Sequence, residues 1–208
     1  MSSDAGRQTI VTLDLEGVLV PEIWIAVAET TGIEALRRTT REEPDYDKLM
    51  AYRLDILAEH GLTMSAIEQV IAGLEPLPGA AAFLDELRRR TQVLILSDTF
   101  EQFARPLMAQ LGWPAIWCHS LDVADDHIVG FRRRMDEAKQ AAVAALHGLN
   151  FRVVAAGDSY NDTTMLLDAD AGFLFHAPDN VKAEFTMLPA LDTYDELLDA
   201  ITAALADG

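Results

Sequence analysis

The chain reads as an α/β protein: a doubly wound, Rossmann-like parallel sheet with a small helical cap inserted after the first strand and a β-hairpin flap further on. Three features predict this. Short β-branched or aliphatic runs recur at 9–15, 93–96, 115–118, 152–156 and 172–175, as buried strands do. Between the later runs stand segments of helical periodicity at 80–90, 101–111, 137–147 and 162–169, each edged by Gly, Pro, Asn or Asp. The interval between the first two runs is far longer than a crossover connection needs.

That interval, Pro21 to Pro78, holds helical stretches over Glu22 to Thr31, Asp45 to His60 and Thr63 to Gly73, separated by Gly32 and Gly61 and closed by Pro76 and Pro78. It is expected to form the cap, which divides the chain into a core of residues 1–20 and 79–208 and a cap of residues 21–78. Residues 121–134, with Asp125, Asp126 and Gly130 between partly alternating runs, predict the hairpin. No internal repeat or low-complexity tract is present.

Of 208 residues half are apolar, enough for one domain with an insertion. Sixteen basic against thirty-four acidic residues leave a net charge of -18, which repels a nucleic-acid backbone. Cys118 is the single cysteine, so neither an intramolecular disulfide nor a thiolate zinc cluster forms, and a reducing compartment is expected. Residues 1–8 lack a basic lead into an apolar run, and no eighteen consecutive apolar residues occur. A cytoplasmic protein with no membrane partner is expected.

Carboxylates gather where strands should end. Asp14 and Glu16 break the first apolar run just before Gly17, and Asp158 and Asp162 follow the run ending at Ala156. In an open α/β sheet the carboxyl ends of the strands form the ligand crevice, so acids from two strands converge there. Grouped anions raise one another's pKa values unless a divalent cation neutralises them, and an oxygen-only donor set points to magnesium. Ser97 directly follows the second run, ahead of a helix, where its hydroxyl and nearby amides can hold a phosphate oxygen. Lys139 falls in the first turn of a helix, a poor place for a cation unless an anion balances it. Together these describe a pocket for a phosphate monoester. Plainer roles stand beside these: Ser97 or Asp162 as helix caps, Lys139 on a solvated face, Glu22 complementing a helix dipole, Arg53 snorkelling over apolar neighbours. Trp24, Trp113 and Trp117 are expected to pack, His176 to be structural and Cys118 to be a small buried hydrophobe.

The run Asp-Leu-Glu-Gly-Val at 14–18, Ser97 after a hydrophobic strand, Lys139, and Gly-Asp-Ser-Tyr-Asn-Asp at 157–162 resemble, in order, the four motifs of the haloacid dehalogenase-like phosphohydrolases. The likeness covers nearly the whole chain. The cap position is similar to that of the phosphoserine phosphatase branch, and the stretches around 14–24, 97–100 and 155–166 look closer still to its bacterial bifunctional phosphoserine phosphatase and homoserine phosphotransferase members. The resemblance implies a magnesium-dependent phosphomonoesterase working through an aspartyl-phosphate. By it, Asp14 is the nucleophile and a metal ligand. Glu16 is the general acid and base, with its backbone carbonyl on the metal, and Asp158 completes the protein ligands. Ser97, Asp98, Lys139 and Asn161 bind the phosphoryl group or substrate, Asp162 supports the metal shell, and Glu22 and Arg53 hold the amino and carboxylate groups of an amino-acid substrate. The implied partners are small molecules, phosphoserine and homoserine as acceptor, and a homodimer stays open.

One departure matters. The wider family usually carries Asp where this chain has Glu16, so the acid/base arm is one methylene longer. That change is expected to loosen the hold on water and give a competing alcohol time to accept the phosphoryl group. Two rivals remain: a phosphatase for another small phosphomonoester, and a phospho-accepting receiver-like switch.

Overall fold

The computed structural model describes residues 6–40, 42–43 and 45–206. Its centre is a seven-stranded sheet formed by β1 (Thr9–Leu13), β2 (Gln92–Phe100), β3 (Ala115–Ala124), β4 (His127–Arg132), β5 (Arg152–Gly157), β6 (Ala171–Phe175) and β7 (Ala190–Leu191), in the order β4-β3-β2-β1-β5-β6-β7. All neighbours run parallel except the β3–β4 hairpin. β1 pairs with β2 through Leu13↔Ile95 and with β5 through Leu13↔Ala156. The order therefore reverses at β1 and β5, the switch point where open α/β sheets bind ligands.

Both faces of the sheet are covered at its centre, which is why β1, β5 and β6 are mostly apolar. Val11, Leu13, Ile95, Val154, Ala156 and Phe175 face one core with α4 (Ala80–Arg90), α5 (Glu101–Gln110) and α9 (Tyr194–Ala206). Ile10, Leu94, Leu96, Val153, Ala155 and Leu174 face the other with α6 (Ala138–Gly148), α7 (Thr163–Asp168) and α8 (Asp179–Glu184). The long interval after β1 folds, as expected, into helices: α1 (Ile23–Thr31), a 3-10 turn at Glu34–Arg37, α2 (Tyr46–Glu59) and α3 (Met64–Ala72). α1 stops at Gly32, whose φ of +72° only glycine adopts readily. Met64, Ile67 and Ile71 form the buried stripe of α3 and join the same core as α5. The hairpin turns at Asp125 and Asp126, both at positive φ (48° and 62°). Its tip is tied to α3, because the Met64 N–H donates to the Asp126 carbonyl at 2.7 Å and the Ser65 N–H to Asp126 Oδ1 at 2.9 Å.

The structure differs from the sequence reading in several places. β2 continues four residues past Leu96, since polar Ser97, Asp98 and Thr99 end the apolar pattern but not the extended backbone. The hairpin flap is the outer end of β3 with β4, not a separate element. α8, β7 and α9 were not anticipated, although Leu197, Ile201 and Ala204 lie at helical spacing and are buried. Trp113 does not pack: it stands 63% exposed in a turn at positive φ. Cys118 is half-buried. Among the described residues no helix is long and apolar enough to cross a membrane.

Candidate active site

Asp14 follows the last residue of β1, and its N–H donates to the Ala156 carbonyl of β5 at 3.0 Å, so the sheet itself fixes its backbone. Its carboxylate is buried, with Oδ1 accepting from the Leu15 N–H at 2.7 Å and from Lys139 Nζ at 2.9 Å. The chain then doubles back: Gly17, at φ +76°, donates to the Val20 carbonyl, and Leu15 O accepts from Leu19 and Val20. This turn brings the N-terminus of α1 beside Glu16, whose Oε2 accepts the Ile23 N–H at 2.9 Å.

Lys139 enters from the first turn of α6 and is buried at the centre of three acids. Its Nζ lies 2.9 Å from Asp14 Oδ1, 2.7 Å from Asp162 Oδ1 and 3.7 Å from Asp98 Oδ2. Burial opposes its charge, but these acids hold its pKa well above the ordinary value. Asp162 is fully buried and organises the turn after β5, its Oδ2 accepting from the Asp158 and Ser159 N–H groups at 3.0 and 3.1 Å. Asp14, Asp158 and Asp162 each offer an oxygen within 4.8 Å of the others, so this buried cluster can hold a metal ion.

The acids repel one another. Burial, then the charge of Asp162, drives the Asp14 pKa well up, and burial with Asp162 and Glu22 pushes Asp158 up to about 7. Burial and the charge of Glu22 likewise push Glu16 up to about 7, against the hydrogen bonds from Ile23 and Thr99. Asp98 goes the other way: burial would raise it, but Lys139 and hydrogen bonds from His119 and Asn161 hold it well below the usual carboxylate range.

One cavity of about 210 Å³ is lined by Asp14, Glu16, Glu22, Arg53, Ser97, Asp98, Lys139, Asp158 and Asn161, with Asp162 behind Lys139. Every candidate site residue named from the sequence thus lies in or against this cavity. Ser97 needs one correction. It lies within β2, four residues before α5, and caps no helix; its Oγ accepts the Thr99 N–H at 3.2 Å. Asn161 Nδ2 donates to Asp98 Oδ2 at 3.1 Å. Glu22 stands at the N-cap of α1 but makes no side-chain capping bond. Arg53 of α2 is 6% exposed, its guanidinium 4.6 Å from the Trp24 ring centroid and one amino group donating to the Arg38 carbonyl at 2.9 Å. Its Nε is buried without a partner, and burial lowers its pKa to about 10. Trp24 therefore does more than pack, since it also carries this cation. A second cavity of about 710 Å³ adjoins the first across Tyr46, Asp98, Lys139 and Asn161. Tyr46, Thr99 and His119 were missed, because nothing in their own segments says that they face the acids of other strands. His176 stacks on Phe175 at 3.9 Å and lines neither cavity.

A mostly parallel sheet that presents a buried aspartate at its switch point, faced by a buried lysine and two more aspartates, defines a candidate catalytic centre of an α/β protein with a metal-competent acidic cluster. The chain belongs to the haloacid dehalogenase-like hydrolases, whose family model matches residues 9–170. It is 59% identical over 189 residues to the phosphoserine phosphatase ThrH of Pseudomonas aeruginosa, covering 90% of this chain and 92% of that one. A phosphoserine phosphatase of Pseudomonas syringae pv. tomato is also 59% identical, over 90% of this chain and 80% of the relative. Among solved structures, a substrate-bound phosphoserine phosphatase complex superposes with a TM-score of 0.77 at 21% identity, over 94% of this chain and 99% of that one. A phospho-aspartyl intermediate analogue of phosphoserine phosphatase follows at 0.76 and 19%, over 94% and 99%.

Proposed function

We infer that this protein is a phosphoserine phosphatase that works through an aspartyl-phosphate on Asp14 and also passes the phosphoryl group to homoserine. One observation carries this most: Asp14 lies 2.9 Å from Lys139 and two residues from Glu16, in a cavity shared with the partner-poor Arg53. Residues 21–78 serve as the cap domain over a core of residues 1–20 and 79–208.

The donor set fits a hard divalent cation, with carboxylates only, buried, and more negative charge than Lys139 offsets. Magnesium is the ion that this set suits, and Asp14, Asp158 and the Glu16 carbonyl would hold it. Both oxygens of Asp162 already accept from protein donors, which keeps it in a supporting place. When bound, the ion offsets the repulsion between a carboxylate and a phosphate dianion.

The remaining steps belong to the side chains. An Asp14 carboxylate oxygen attacks phosphorus as the bond to the seryl oxygen breaks, and Glu16, whose pKa is pushed up to about 7 so that a share of it carries a proton near neutral pH, gives that proton to the oxygen. Lys139, Ser97 and Asn161 receive the charge that develops on the phosphoryl oxygens. Ionised Glu16 then takes a proton from water, whose oxygen displaces Asp14 from phosphorus and releases phosphate. Homoserine's hydroxyl does the same and leaves as phosphohomoserine. Arg53 and Glu22 take the substrate's carboxylate and ammonium. Glu16→Asp is expected to shift the ratio of transfer to hydrolysis when homoserine saturates. The setting that suits this chemistry is amino-acid biosynthesis, of serine and threonine, in the cytoplasm.

The deciding experiment is turnover of phosphoserine with magnesium, with and without homoserine, reading phosphate and phosphohomoserine together, beside rapid-quench labelling. Asp14→Asn should abolish turnover without loss of fold, because an amide forms no acyl phosphate. Label trapped on another side chain would overturn the assignment. Steady turnover without a kinase would also exclude a receiver-like switch.

A further inference from the structure

His119 of β3 is 4% exposed and takes no part in the chemistry assigned to Asp14 and Glu16. Its Nδ1 accepts the Arg134 N–H at 3.2 Å, so the ring proton is on Nε2. Nε2 faces Asp98 Oδ1 at 3.5 Å. The rings of Tyr46 and Phe100 flank the imidazole at 5.7 and 6.3 Å and fix its plane. Asp98 is gripped elsewhere too: its Oδ2 accepts from Asn161 Nδ2 at 3.1 Å, and its backbone carbonyl accepts from the Tyr46 hydroxyl at 2.8 Å.

The consequence lies at Lys139. An ammonium has three N–H donors, and two are committed, to Asp14 at 2.9 Å and to Asp162 at 2.7 Å. The third is the one a phosphoryl oxygen needs. Asp98 Oδ2 stands 3.7 Å away, just beyond hydrogen-bond reach. In a buried site a carboxylate is drawn strongly toward an ammonium at that range, and closing the gap would put an anion where phosphate must bind. What resists closure is the grip on Oδ1 from one side and on the backbone from the other.

We propose that His119 is a positioning residue that holds Asp98 away from Lys139, keeping the third ammonium donor and the Asn161 amide set for a phosphoryl group. This rests on the assignment of Asp14 and Lys139 to the phosphoryl centre.

The test is the affinity for inorganic phosphate, by calorimetry with magnesium present, of wild type, His119→Phe, Asp98→Asn and the double variant, with phosphoserine kinetics in parallel. His119→Phe keeps a ring but no donor and should weaken phosphate about tenfold or more, the usual worth of a hydrogen bond to a charged group. In the Asp98→Asn background the same change should cost less than about twofold, because a neutral amide is not drawn to Lys139. Equal losses in both backgrounds, or none in either, would overturn the proposal, since a packing role is blind to the charge at position 98. If His119→Phe does not fold, His119→Gln and His119→Asn decide. The Gln amide reaches the place of Nε2 and should keep phosphate affinity within about threefold of wild type. The Asn amide stops short and should lose affinity as Phe would, so equal affinities for the two variants would also overturn it. A wild type that binds phosphate yet leaves phosphoserine intact would refute only the substrate assignment, because the affinity comparison is scored without turnover.

Discussion

Gly17 makes room for the Asp158 carboxylate: a Cβ on Gly17 would stand 2.5 Å from Asp158 Cγ, nearer than any real contact. Two segments 141 residues apart in the chain are thus fitted to each other at the level of a single missing methyl group. Gly17 also sits at φ +76°, where a side chain costs about 1–2 kcal/mol by itself. Gly17→Ala should therefore displace Asp158, lower the melting temperature by several degrees and remove most turnover. Full activity with an unchanged melting curve would show that the turn relaxes freely.

The acidic cluster predicts how the metal acts on stability. Asp14 and Asp158 are buried beside Asp162 with raised pKa values, so a cation that binds them stabilises the folded chain by mass action, by about 2.7 kcal/mol at a hundred times its dissociation constant. Magnesium should raise the melting temperature over that in EDTA, and Asp158→Asn should remove most of the rise. An equal rise in the variant would place the ion elsewhere.

Arg53 predicts substrate discrimination. Its guanidinium is buried with Nε unpartnered, and Trp24 supports one face. Arg53→Ala should raise KM for phosphoserine about ten- to a hundredfold and change it little for a phosphate ester without a carboxylate. Parallel losses on both esters would assign Arg53 to the fold.

Asp170, remote from the cavity, predicts a pH effect on stability. Burial opposes its ionisation, but the Val153 N–H at 2.8 Å, His147 Nε2 at 2.9 Å and Arg7 at 2.8 Å hold its pKa below the ordinary value. A depressed folded pKa contributes stability above the unfolded value, near 4, and that contribution is lost as pH falls through the folded one. Asp170→Asn should lower the urea midpoint at pH 7, and the gap to wild type should close below about pH 4. A gap constant over that range would mean that the charge of Asp170 contributes nothing.

The candidate site was legible in the chain because acidic residues interrupt apolar strands. Asp14 and Glu16, or Asp158 and Asp162, can follow buried runs only at the end of a sheet, and a sheet of this type has one ligand crevice, so the local pattern fixes the global address. The inserted helices were legible for a similar reason: Gly32, Gly61 and the Pro76–Pro78 exit punctuate them, and their length exceeds what a crossover needs. What no window of sequence contains is contact between remote segments. Whether Asp162 meets Lys139, whether Asp98 stops 3.7 Å short of that lysine, and whether His119 reaches Asp98 depend on packing between strands and helices that share no local pattern. Periodicity reports which face of an element is buried and is silent on which polar atom lies opposite. Residue types and their order along the strands pointed to a phosphate pocket, and their resemblance to known motifs to the reaction class, whereas the distances that tune each charge came from close packing across the sheet.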